Sequence, residues 1–153
     1  MPLEFYEDLS IGDTREFGGY TVEKEELVSF AEQYDPQPFH VDEDAAEQSM
    51  FGGLIASGWH TAAVTMRMLV ENVIRDSSAT GAIGVDDLRW RQPVRPDDTL
   101  SVKTEVVDKE PWDDNLGLVH SRTTVYNQDE TEVMSMIGLV LYQMRDSSSA
   151  PEN

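Results

Sequence analysis

The sequence predicts an α+β fold in which an antiparallel sheet wraps one long central helix. Three observations point there. An apolar run with helical spacing extends from residue 57 to residue 74, alternation of period two takes over from Gly81, and the last segment, residues 131–144, is apolar on both of its alternating faces. At 153 residues the chain has the length of one ordinary domain. We expect a single domain over residues 1–145 and a flexible polar tail over residues 146–153.

In chain order, a short strand near Arg15 to Tyr20 opens the fold. Thr21 is placed to cap a helix on which Leu27, Phe30, Ala31 and Tyr34 recur at helical spacing, with Glu23, Glu25 and Glu26 in a first turn whose dipole favours anions. Pro36 disfavours a helical Asp35, so this helix stops there. The segment VDEDAAEQS from Val41 offers one or two further turns. After the apolar, glycine-rich FGGLIASG, Ser57 is the natural cap of the main helix, over which Trp59, Ala62, Ala63, Met66, Leu69, Val70, Val73 and Ile74 follow the i, i+3, i+4, i+7 rule.

Half-buried strands come next. Leu88, Trp90 and Val94 alternate with Arg89, Arg91 and Arg95, which puts the three arginines on one face, and Leu100, Val102, Thr104 and Val106 alternate with Ser101, Lys103 and Glu105. DDNLG, after Trp112, reads as a turn between strands. In the last strand Ile137, Leu139 and Leu141 oppose Met136, Val140 and Tyr142, the pattern of an interior strand covered on both sides. One long helix covers only one face of such a sheet. A second copy is the expected source of further cover, in a symmetric homodimer or a dimer-based higher oligomer.

Composition removes several classes of function. Thirty Asp plus Glu against 11 Lys plus Arg give a net charge of −19, with Lys24, Lys103 and Lys109 the only lysines, so nucleic acid is not an expected partner. Without cysteine there is no thiol nucleophile, disulfide or thiolate metal site, and no bound metal is expected. No apolar run approaches the roughly 20 residues of a membrane span, and the N-terminus, MPLEFYEDLS, is acidic where a secretory signal is basic then apolar. A soluble, cytoplasmic protein without a membrane partner is expected. The acids are spread along the chain, the pattern of a folded protein with a wholly acidic surface, as in cytoplasms full of salt. A halophilic source is the hypothesis that follows, and full stability in low salt would count against it.

Chemistry concentrates in DPQPFH, residues 35–40. Two prolines stiffen the link between a carboxylate, Asp35, and an imidazole, His40, so the pair loses little entropy in holding a set separation. The imidazole can take or give a proton near neutral pH, and the carboxylate can favour its charged form and hold a water. Spacing alone leaves open an ordinary proline turn with a structural histidine. The nearby FGGLIASG adds a second signal: Gly58, at the start of the long helix, can present an unpaired N–H to a developing oxyanion, although it can equally serve close packing. An acid/base pair and an oxyanion donor reinforce each other.

The stretch FAEQYDPQPFHVDEDAAEQSMFGGLIASGWHTAA, together with RQPVRPDDTLSV, resembles the MaoC-like dehydratases, the R-specific enoyl-CoA hydratase group of the hotdog fold. Asp35, Pro38 and His40 match that family's signature, and FGGLIASG matches the loop whose glycine precedes the hotdog helix. The resemblance implies a hotdog fold and reversible syn addition of water to a trans-2-enoyl thioester, giving an (R)-3-hydroxyacyl-CoA. Asp35 and His40 would hold the water between them, and the Gly58 N–H would meet the thioester oxygen. Coenzyme A enters as part of the acyl-CoA thioester substrate, with no separate cofactor. Gln37 stands where the signature usually has Asn, Tyr34 where it has Gly, and Met66 where some members place a serine eight residues after the glycine.

Around this core, Ser57 and Trp59 are candidate substrate-binding residues, and Arg89, Arg91 and Arg95 are candidate grips for the phosphates of coenzyme A, or else partners of surface acids. Trp59, Met66 and Met68 are first of all core, and could line an acyl tunnel. His60 reads as a capping or core-edge histidine, and nothing in the sequence places His120 near the pair. Two rival functions stay open: a thioesterase using the same helix-terminal donor, and a non-catalytic acyl-CoA-binding or assembly subunit.

Overall fold

The computed structural model describes residues 3–145; the polar tail expected over residues 146–153 lies outside the described residues. Five strands form one antiparallel sheet: β1 (Thr14–Thr21), β2 (Ala79–Trp90), β3 (Thr99–Pro111), β4 (Leu116–Tyr126) and β5 (Glu132–Gln143), in the spatial order β1-β3-β4-β5-β2. Between β1 and β2 run four helices, α1 (Lys24–Tyr34), α2 (Pro38–Val41), α3 (Glu43–Glu47) and α4 (Gly58–Leu69), the last prolonged by a π-helical turn to Ile74. The α+β class and the order of elements match the sequence reading.

Alternation in β3 works as expected, with Leu100, Val102, Thr104 and Val106 inward. Leu100 and Val102 join Val22, Leu27, Val64, Met68, Val125, Val133 and Met134 in one core cluster. The fully enclosed Leu27, Leu100 and Met134 each contribute about 2 kcal/mol of transfer free energy. A smaller cluster of Leu9, Val106, Val119 and Tyr142 closes the far end. β5 lies inside the sheet, between β4 and β2, yet Ile137, Leu139 and Leu141, like Met136 and Val140 on the opposite face, are only half-buried.

Three expectations need correction. Thr21 does not cap α1: it ends β1, where its hydroxyl lies 2.9 Å from that of Thr99, and Glu23 occupies the cap position. The inward face of α4 carries His60, Thr61, Val64, Thr65 and Met68, whereas Trp59, Ala63 and Met66 of the apolar stripe face outward. Polar side chains turn inward here because they have partners, as when the Thr65 hydroxyl donates to the Thr61 carbonyl at 2.8 Å. Finally, β2 stops at Trp90 after a bulge at Asp87 (φ 53°), so Arg91 and Arg95 lie in a connection and the three arginines do not share a strand face.

Candidate active site

Asp35 is the C-cap of α1, and His40 is the third residue of α2, which begins at Pro38. Proline is pre-organised for a first helical position, and the turn between the helices is tight: Gln37 N–H donates to the Asp35 carbonyl at 2.8 Å and His40 N–H to the Gln37 carbonyl at 2.9 Å. This folds the imidazole back onto the carboxylate. His40 Nε2 lies 3.2 Å from Asp35 Oδ2, with the ring almost fully enclosed and the acid 18 % exposed.

The opposite ring nitrogen sets the tautomer. His40 Nδ1 is 2.7 Å from the carbonyl of Ile55, and a carbonyl only accepts, so Nδ1 carries a proton. Nε2 is thereby left to take or release a proton beside Asp35. Phe39 packs against the imidazole at 79°, with ring centroids 4.6 Å apart, and limits its rotation.

Asp35 is held as a carboxylate. Burial opposes its ionisation, but hydrogen bonds from Gln37 and Ser57 and the neighbouring His40 outweigh burial and lower its pKa below the ordinary value. The Gln37 amide reaches Oδ1 at 2.7 Å. Gln37, where the resemblance leads one to expect Asn, therefore holds the acid directly.

Ser57 is wholly buried at the N-cap of α4, where its oxygen accepts from Trp59 N–H at 3.2 Å. Gly58 follows, and among the described residues no hydrogen bond uses its N–H. An added Cβ there would lie 2.3 Å from the Trp90 indole, so the position has no space for a side chain. Upstream, Gly52 (φ 68°) supplies the left-handed turn of the preceding loop.

His40 and Gly58 line one cavity of about 290 Å³ with Phe51, Ile55, Thr61, Trp90, Arg91 and Val94. Imidazole and helix tip therefore face a shared space, with Asp35 in contact with the imidazole. Ser57 is consumed by capping, and Trp59 packs edge-on against Trp90 (5.0 Å between ring centroids) outside the cavity lining. Arg91 lines this cavity and, with Arg89 and Arg122, a second depression on the outer sheet face; its Nε bonds Ser135 at 3.1 Å and pairs with Glu132 at 3.3 Å. Arg95 is engaged elsewhere, donating to the Phe51 carbonyl at 2.6 Å and bracing the loop before α4. His120 meets Glu110 at 3.1 Å, on β4 beside β3.

Three contributors were not singled out from sequence. The Ile55 carbonyl carries no side-chain signal at all. Trp90 reads as one more inward strand residue, and Thr61 as a polar break in an apolar helix, although its place three residues after Gly58 puts it in the first turn. Met66, at the family's serine position, is about half exposed.

Known proteins resemble the chain in sequence and in fold. The MaoC like domain matches residues 8–128. The crystal structure of a MaoC-like dehydratase from Rhodospirillum rubrum superposes with a TM-score of 0.84 at 39% identity, covering 92% of this chain and 97% of that one. The uncharacterised protein YdeM of Bacillus subtilis is 32% identical over 127 residues, 83% of this chain and 90% of its own length. The 3-hydroxybutyryl-CoA dehydratase of Methylorubrum extorquens is 33% identical over 109 residues, 70% of this chain and 66% of that enzyme. The domain match runs unbroken from before Asp35, past Gly58, to the end of β4, and with it the chain belongs to the MaoC-like dehydratase family, with the family's hotdog fold.

Proposed function

We propose that the chain catalyses reversible syn hydration of a trans-2-enoyl-CoA to an (R)-3-hydroxyacyl-CoA. The observation that carries this reading is the direct Asp35–His40 contact, its tautomer fixed by Ile55, opening on the cavity that also holds the unused Gly58 N–H. The similarity to a 3-hydroxybutyryl-CoA dehydratase supports the substrate class, and the signature shared with R-specific hydratases supports the configuration.

In this reading His40 Nε2 takes a proton from a water as its oxygen attacks the β-carbon. At 3.2 Å the two side chains touch, so the water rests against both of them instead of bridging a gap between them. Asp35, held ionised, stabilises the imidazolium that forms. The electron pair of the double bond moves toward the α-carbon and the thioester oxygen, where the Gly58 N–H meets the growing charge, an interaction worth about 3 kcal/mol in comparable oxyanion holes. The imidazolium then delivers its proton to the α-carbon and the dyad is restored. Because one group on one side of the substrate handles both steps, hydrogen and hydroxyl add to the same face.

Arg89, whose guanidinium among the described residues donates only to the adjacent Leu88 carbonyl, is the best placed of the three predicted arginines to meet a coenzyme A phosphate. We assign the remaining cover of the site to a second copy of the chain. Among the described residues β2 has a strand partner on one side only, and Trp59, Met66, Ile83, Val85 and Trp90 leave apolar surface exposed on α4 and along that strand.

Incubation with crotonyl-CoA tests the reaction. Loss of the enoyl absorbance without free thiol is expected, and Asp35→Ala or His40→Ala should lower kcat/KM by a factor on the order of 100 or more while circular dichroism stays unchanged. Release of free thiol would make the protein a thioesterase. Unchanged turnover in both variants would remove the dyad from the mechanism.

A further inference from the structure

His60 takes no part in the proposed chemistry, yet it is more enclosed than His40, at 2 % exposure. Its ring stacks on Phe30 with centroids 4.7 Å apart and planes at 12°. Its Nε2 lies 2.9 Å from Glu26 Oε2, and a carboxylate only accepts, so Nε2 carries the proton. Nδ1 is buried without a partner among the described residues. The Tyr20 hydroxyl donates to the same carboxylate, at 2.7 Å from Oε2 and 2.8 Å from Oε1.

One carboxylate thus joins three elements: Tyr20 from β1, Glu26 from the first turn of α1, and His60 from the first turn of α4, two residues after Gly58. Helix α1 is also held at its other end, where Asp35 touches His40 at 3.2 Å and His40 Nδ1 donates at 2.7 Å to the carbonyl of Ile55, three residues before Gly58. At 1.5 Å per residue the two ties are about 13 Å apart along α1. A single tie would leave α1 free to pivot about the cap of α4; two ties separated by that distance fix its angle as well.

We propose that Glu26 and His60 are positioning residues for the hydration reaction. The Tyr20–Glu26–His60 chain sets the angle between α1 and the first turn of α4, and with it the distance from the Asp35–His40 pair to the Gly58 N–H. The inference rests on the hydratase reading. What it positions acts on charge that develops during reaction, so its loss lowers kcat and spares KM, whereas a brace serving stability alone would move the melting temperature and leave kcat in place.

Steady-state hydration of crotonyl-CoA, assayed well below each variant's melting temperature, distinguishes these. Glu26→Ala should lower kcat by about tenfold or more with KM held within about twofold, the scale of an ångström-level misplacement. Glu26→Gln keeps an acceptor for His60 Nε2–H and should recover most of the loss. A kcat of Glu26→Ala near that of the wild type, or no recovery in Glu26→Gln, overturns the proposal. If Glu26→Ala does not fold, Tyr20→Phe carries the test: a severalfold loss of kcat at unchanged KM supports the proposal, and unchanged kcat overturns it. Wild-type protein inactive on enoyl-CoA would end the hydratase reading and this inference with it. Active wild type, inactive Asp35→Ala and fully active Glu26→Ala would end this inference alone.

Discussion

Asp35 receives hydrogen bonds from Gln37 and Ser57 and adjoins His40, and together these lower its pKa although burial acts the other way. A carboxylate whose folded pKa lies below its unfolded value, about 3.9, adds stability at pH values above that value and loses it as pH falls through the folded pKa. Activity that needs ionised Asp35 should follow the same course. The acidic limb of kcat/KM due to Asp35 is therefore expected below pH 4, and Gln37→Leu, by removing one donor, should move that limb to higher pH; a pH–rate profile of the two proteins checks both statements. Asp35 and His40 were legible in the sequence because two prolines and a fixed spacing leave a written trace. The Ile55 carbonyl was not, since a backbone acceptor takes its role from where the chain folds and every residue carries one.

At the scale of elements, α4 bears most of the information and also the largest misreading. Its start was legible, for Ser57 is a capping residue directly before a helical pattern, and it does accept from Trp59 N–H. Ser57→Ala should cost about 1 kcal/mol as a lost cap, measured by urea unfolding. The same change should raise the pKa of Asp35 by removing a donor. Which face turns inward was not legible. Apolar spacing from Trp59 pointed to the outer side, while His60, Thr61 and Thr65 lie within, where Glu26 accepts from His60 Nε2 and the Thr61 carbonyl from the Thr65 hydroxyl. Periodicity counts polarity residue by residue, and a polar side chain with a partner packs inside as readily as an apolar one. The strands were easier, because in β3 inward positions are apolar or threonine and outward ones charged or serine. β2 failed at its end, where a bulge at Asp87 shifts the alternation and separates Arg91 and Arg95 from Arg89.

For the whole molecule, a net charge of −19 sets the conditions in which the fold is comfortable. Repulsion among exposed carboxylates reaches over about 10 Å in 0.1 M salt and about 3 Å in 1 M, so concentrated salt relieves it. Light scattering in 1 M potassium chloride should give the mass of two 17.2 kDa chains, and stepwise dilution of the salt should lower the melting temperature. A melting temperature independent of salt would remove the halophilic reading, and a monomer at every salt concentration would remove the dimer. Among the described residues no helix is long and apolar enough to cross a membrane.

The indole that lies over Gly58 belongs to Trp90, the final residue of β2, and β2 is one of the two edge strands of the sheet. The roof of the candidate site's cavity is therefore built from the rim of the sheet. On the proposed reading, a second copy docked along that rim would also decide how far the roof can lift, so dimerisation and entry of the thioester would be governed by the same few atoms.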